Sequence, residues 1–138
     1  MIDQWQHDYG KWMADNAAAF FGDGLPGCSV SEPIRDWTMA DLLDTSPIAR
    51  FQCNRAVIET DFREELLEIN VPTLIIHGDN DAGIPVEISG ALLAELIPDS
   101  RLVIYENAPH GLYLTHVDRL NADLAAFVAQ EASVELAR

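Results

Sequence analysis

Thr73-Leu74-Ile75-Ile76-His77-Gly78-Asp79-Asn80-Asp81-Ala82-Gly83-Ile84-Pro85 begins as an apolar run after Pro72, breaks at Gly78, and continues as a loop of carboxylates and small residues. A short apolar run with such punctuation reads as a buried strand over Thr73–His77. Pro85 then opens a helix with Ile88, Ala91, Leu92 and Leu96 on one face, closed by Pro98 and Asp99. Arg101-Leu102-Val103-Ile104-Tyr105 reads as a second strand. Thr115 caps a last helix, with Asp118 three residues on and Leu120, Leu124, Phe127 and Val128 as its apolar stripe. The order strand, helix, strand, helix implies two parallel strands joined by a right-handed crossover, an α/β arrangement. Parallel sheets are covered on both faces and need further strands beside them. This stretch is therefore expected to be the edge of a larger doubly wound sheet.

Upstream of Asp61 the rhythm changes, which divides the chain into residues 1–60 and 61–138. Trp5, Tyr9, Trp12, Met13, Ala17 and Phe20 recur at helical spacing, and Gly22, Gly24, Pro26 and Gly27 stop that helix. Ser46-Pro47 is a helix start, with Ser as N-cap and Pro at the first position; Ile48, Phe51, Val57 and Ile58 are its expected buried stripe. Asp61 and Glu64 suit a capping box for a short helix through Leu67. There is no internal repeat and no low-complexity segment.

Composition narrows the function classes. The 138 residues carry a formal charge of -15, and Lys11 is the sole lysine. A polyanion of this kind repels nucleic acid and acidic membrane surfaces, so neither is expected as a partner. Cys28 and Cys53 have no metal-ligand spacing and form no disulfide framework, which fits two separate thiols in a reducing compartment. The N-terminal residues lack the pattern of a secretory signal, and no apolar run approaches the roughly 18 residues of a membrane span. A cytoplasmic location is the default expectation.

In open parallel sheets, sites form beyond the carboxyl ends of the strands. Two loops leave strand ends here: His77 to Pro85 brings carboxylates, and Glu106-Asn107-Ala108-Pro109-His110-Gly111-Leu112 brings an imidazole. An Asp–His contact between them is the orienting half of a nucleophile–base–acid system. The acid fixes the imidazole tautomer, and the His takes the proton from the nucleophile. Asp79 and Asp81 both compete for the acid role, with a turn function as the alternative for Asp79. An EF-hand reading of Asp79-Asn80-Asp81 fails, because Gly83 and Gly90 stand at ligand positions. His116 at a helix start is read as local structure, His77 as a packed core histidine and His7 as solvated. No pair of these has zinc-site spacing. Trp5, Trp12, Phe20, Phe21 and Trp37 either pack helices or line an acyl pocket.

The segments VPTLIIHGDNDAGIP and YENAPHGLYLTH together resemble the acid and histidine segments of the non-haem haloperoxidase and arylesterase group of α/β-hydrolases, which includes cofactor-free perhydrolases. TDFREELLEI resembles the link from that family's helical cap to its sheet, and FFG and SPIARFQC look cap-like. The resemblance runs roughly from Trp5 to Phe127. It implies a partial α/β-hydrolase fold: a helical cap over residues 1–60, then the last two parallel strands and helices of the sheet over residues 61–138. It also implies Asp81 as triad acid, His110 as triad histidine, a small ester-type substrate, and neither metal nor organic cofactor.

The family's Gly-x-Ser-x-Gly nucleophile elbow has no counterpart in these residues. Ser29 follows Gly27 at the right offset, but Ser31 stands where the second Gly belongs. The expectation is a C-terminal hydrolase portion, inactive alone. The alternative is a non-catalytic complementing subunit or truncated remnant that associates with an N-terminal hydrolase half or with its own copies.

Overall fold

The computed structural model describes residues 7–136. The first helix whose bounds lie within the described residues, α1, spans Tyr9–Phe21. It starts where the Asp8 carboxylate accepts the Lys11 amide at 2.9 Å and ends at Gly22 in the left-handed region, φ 70°. Gly22 N–H reaches Ala19 O and Asp23 N–H reaches Ala18 O, so the last carbonyls are satisfied by the reversal that glycine permits. Trp5, read as part of the same helical stripe, lies outside the described residues.

Two further helices follow, α2 (Glu32–Asp44) and α3 (Pro47–Glu59), then the short α4 (Arg63–Leu67). Ser46 caps α3 through its hydroxyl, as the Ser-Pro start predicts. The expected buried stripe of α3 does not exist. Ile48, Val57 and Ile58 are 75%, 70% and 57% exposed, Phe51 is half-buried, and no α3 residue is buried; Val57 and Ile58 face Ile88 and Leu92 only across an open groove. The capping box at Asp61 is absent as well. Phe62 occupies the cap position, and Asp61 instead takes the Arg63 amide and guanidinium in a local turn.

The sheet has two strands among the described residues, β1 (Thr73–Gly78) and β2 (Ser100–Tyr105). They pair in parallel, with Thr73 opposite Ser100 and Gly78 opposite Tyr105. The strand read as buried is half-buried from Thr73 to His77 and buried only at Gly78, since one edge has no described neighbour. The crossover is not one helix. A 3-10 turn over Val86–Ile88 breaks at Ser89, whose hydroxyl bonds Pro85 O, before α5 (Gly90–Leu96). This offset turns Ile88 and Leu92 outward, while Leu93, Leu96 and Ile97 are the covered positions.

A four-residue helix, α6 (Leu112–Thr115), precedes α7 (Val117–Leu136). Thr115 does not cap α7: its hydroxyl meets His116 Nδ1 at 2.7 Å, and His116 stands at the helix start. The α7 stripe is half covered at Leu120 and Phe127 but exposed at Leu124 and Val128. Tyr105 anchors the helix to the sheet. It is fully buried, donates to Asp123 Oδ2 at 2.6 Å and lies under the Arg119 guanidinium. No described helix is long and apolar enough to cross a membrane.

Candidate active site

The two strand-end loops close on each other at Gly78. Asp79 N–H donates to Tyr105 O and Asn80 N–H to Ala108 O, both at 3.1 Å. A Cβ on Gly78 would sit 2.1 Å from the Ala108 carbonyl oxygen, so only glycine allows this approach. Ala108 and Pro109 are buried beneath, and Asn107 takes φ 59° to turn the chain into them. Asn tolerates that left-handed conformation better than most residues.

On this platform Asp81 and His110 meet. His110 Nδ1 lies 2.7 Å from Asp81 Oδ2. The other carboxylate oxygen, Oδ1, accepts the Gly83 amide at 2.9 Å and the Ile84 amide at 2.8 Å. Asp81 is buried, at 8% exposure, and carries three donors, which is what a buried carboxylate requires. The His110 side chain is 45% exposed, and among the described residues Nε2 makes no hydrogen bond. A carboxylate can only accept, so Nδ1 carries the proton and Nε2 presents its lone pair outward.

The other candidates fall elsewhere. Asp79 is exposed, and its carboxylate accepts the neighbouring Asn80 amide, away from any imidazole. His77 is packed, its Nε2 2.8 Å from Ile84 O and 3.6 Å from Asp81 Oδ2. His116 pairs with Thr115, and its ring lies 5.9 Å from that of Tyr105. His7 is exposed. No hydroxyl or thiol among the described residues bonds His110. The described residues hold no group of three His, Cys, Asp or Glu side chains suited to a metal ion.

The helical half reaches the site at one place that sequence reasoning missed. Gly111 N–H donates to Phe20 O at 2.9 Å, and Cys28 Sγ lies 3.3 Å from Asn107 O. A Cβ on Gly22 would meet Pro109 at 2.9 Å, and one on Gly111 would meet Phe20 O at 2.6 Å. The signal was present in the two glycines, but Gly22 reads from sequence only as a helix stop. The Phe20 ring sits 5.8 Å from the His110 ring and 6.3 Å from Tyr113. Of the other aromatics, Phe21 is buried under Arg35, Trp12 is half-buried and Trp37 is 66% exposed.

Residues 50–117 match the family pattern of the alpha/beta hydrolase fold. The chain is 39% identical to the bifunctional esterase/perhydrolase DCH of Acinetobacter calcoaceticus, over 81% of this chain and 41% of the relative. It is 37% identical to a non-heme chloroperoxidase of Streptomyces lividans, over 79% of this chain and 40% of that protein. A bromoperoxidase from Bacillus anthracis superposes with a TM-score of 0.83 at 36% identity, covering 92% of this chain and 46% of the bromoperoxidase. The chain thus spans less than half the length of each of these proteins.

Proposed function

This chain belongs to the α/β-hydrolase family, in its haloperoxidase and esterase group, and from that premise we propose that it supplies the acid and base of a serine-type acyl-transfer site. Asp81 is the acid and His110 the base. Asp81 holds the Nδ1 proton, so Nε2 takes the proton of a nucleophilic hydroxyl as that oxygen attacks an ester carbonyl. The buried carboxylate stabilises the imidazolium, which then returns the proton to the departing alcohol. A second cycle at the same nitrogen activates water to release the acid, or a peroxide to yield a peracid. The nucleophile and the oxyanion donors come from a polypeptide segment with the Gly-x-Ser-x-Gly elbow, a motif absent from these 138 residues. Small carboxylic esters are the substrate class, and the steps need no cofactor.

The observation that carries this reading is the one-sided His110. Its Nδ1 is held by a buried carboxylate, while its Nε2 is unbonded on a half-exposed ring. The test mixes this chain with a separately produced α/β-hydrolase segment that carries a Gly-x-Ser-x-Gly elbow and follows p-nitrophenyl acetate hydrolysis. Each chain alone is expected to be silent. Turnover in the mixture, lowered roughly 10⁴-fold by Asp81→Asn and at least as far by His110→Ala, supports the proposal. Turnover that survives both substitutions sinks it. Association without turnover favours the second reading, a non-catalytic partner, to which the exposed Ile48, Val57 and Ile58 lend support.

A further inference from the structure

We infer that His77 is a positioning residue that seats the Asp81 carboxylate by clamping Ile84 across the loop. The inference rests on the reading of Asp81 and His110 as acid and base. Ile84 is held at both of its backbone groups: its N–H donates to Asp81 Oδ1 at 2.8 Å, and its carbonyl accepts from His77 Nε2 at 2.8 Å. A carbonyl only accepts, so His77 carries its proton on Nε2. That tautomer is the opposite of the one at His110.

The ring cannot easily leave this position. Its side chain is 14% exposed, and a Cβ added to Gly90 would lie 2.9 Å from His77 Nδ1 and 3.3 Å from Cγ. Gly90 thus provides the space into which the imidazole packs, at the first residue of α5. The residue after Ile84, Pro85, has no amide proton to help hold the segment. His77 is also a neighbour of the carboxylate itself, with Nε2 3.6 Å from Asp81 Oδ2. Because the Nε2 proton is directed to Ile84, Oδ2 keeps His110 as its sole hydrogen-bonding partner within 3 Å. His77 therefore acts on His110 through two residues without touching substrate.

The experiment is NMR on the intact chain, with imidazole nitrogens labelled to report tautomers and backbone amides followed by hydrogen exchange. His77→Phe keeps a ring but removes the donor. The Gly83 and Ile84 amides are expected to exchange at least tenfold faster in it, and His110 to move from the Nδ1–H towards the Nε2–H form. His77→Gln, which can present an amide N–H near the same place, restores both. If His77→Phe does not fold, Gly90→Ala carries the test, because the added methyl displaces the ring from Ile84 without removing it. Unchanged Gly83 and Ile84 exchange and an unchanged His110 tautomer in a folded variant overturn the inference. An Nε2–H tautomer at His110 in the unsubstituted protein would instead overturn the acid–base reading. The exchange of the two loop amides still decides the role of His77 in that event.

Discussion

The segment from β1 to α7 and the segment from α1 to α4 carry similar apolar patterns and use them differently. In the first, Tyr105, Ala108, Pro109 and Val86 are buried beside the strand ends that carry the site loops, and Ile97 is buried where the crossover helix leads into β2. In the second, burial is limited to Met13, Phe21, Gly22 and Thr38 among the described residues, and α3 buries nothing. An apolar stripe shows only that a helix can bury a face. Burial itself needs an element opposite, and β1, β2, α5 and α7 provide that for one another through short connections.

The contrast can be broken by substitution. Gly78→Ala should have the largest effect, about 3 kcal/mol or more of lost stability in urea unfolding, since the new methyl collides with the Ala108 backbone and drives the two loops apart. A loss below 1 kcal/mol would mean that the loops are not locked at this point. Tyr105→Phe should cost about 1 kcal/mol, the value of its hydrogen bond to Asp123, whose carboxylate can turn to water.

Tyr105 also sets a pH signature. Burial, and then the Asp123 hydrogen bond, pushes its phenol up from 10.0 to about 12. Between those values the unfolded chain has released the proton that the folded one keeps, so stability falls as pH rises from 10 to 12. Thermal melts of Tyr105→Phe should lack that part of the alkaline loss. Ile58→Ser should have the smallest effect, within about 0.5 kcal/mol, because the side chain is 57% exposed. A change above 2 kcal/mol would show that α3 is packed in solution after all.

The same contrast explains what was legible in the sequence. The strands and their parallel pairing were readable, because apolar runs bounded by Pro72, Gly78 and Pro98 leave little choice of element. A contact between an Asp of the first loop and His110 was readable as a geometric consequence, since both loops follow strands that end at one edge, whereas the choice of Asp81 over Asp79 came from the family resemblance. The break at Ser89 was not, because Pro85 suits a 3-10 turn as well as an α-helix start. Thr115 does not cap the helix because its hydroxyl is engaged by His116 Nδ1 and the helix begins one residue later than the pattern suggests. The contact of Phe20 with Gly111 had no periodic signal. It depends on two glycines whose missing side chains matter only once they face each other's loops.

That contact joins residues 91 positions apart, whereas the strands pair at a separation of 27. Closing the longer loop costs roughly 1 kcal/mol more chain entropy, and its few bonds return less than a strand ladder. The order of events during folding follows from this. The sheet and the Asp81 turn can assemble from neighbouring sequence, while the bond from Gly111 to Phe20 waits for the N-terminal helix to arrive. On this account Asp81 is expected to reach its place early, and the loop of His110 to receive its outer support among the last contacts to form.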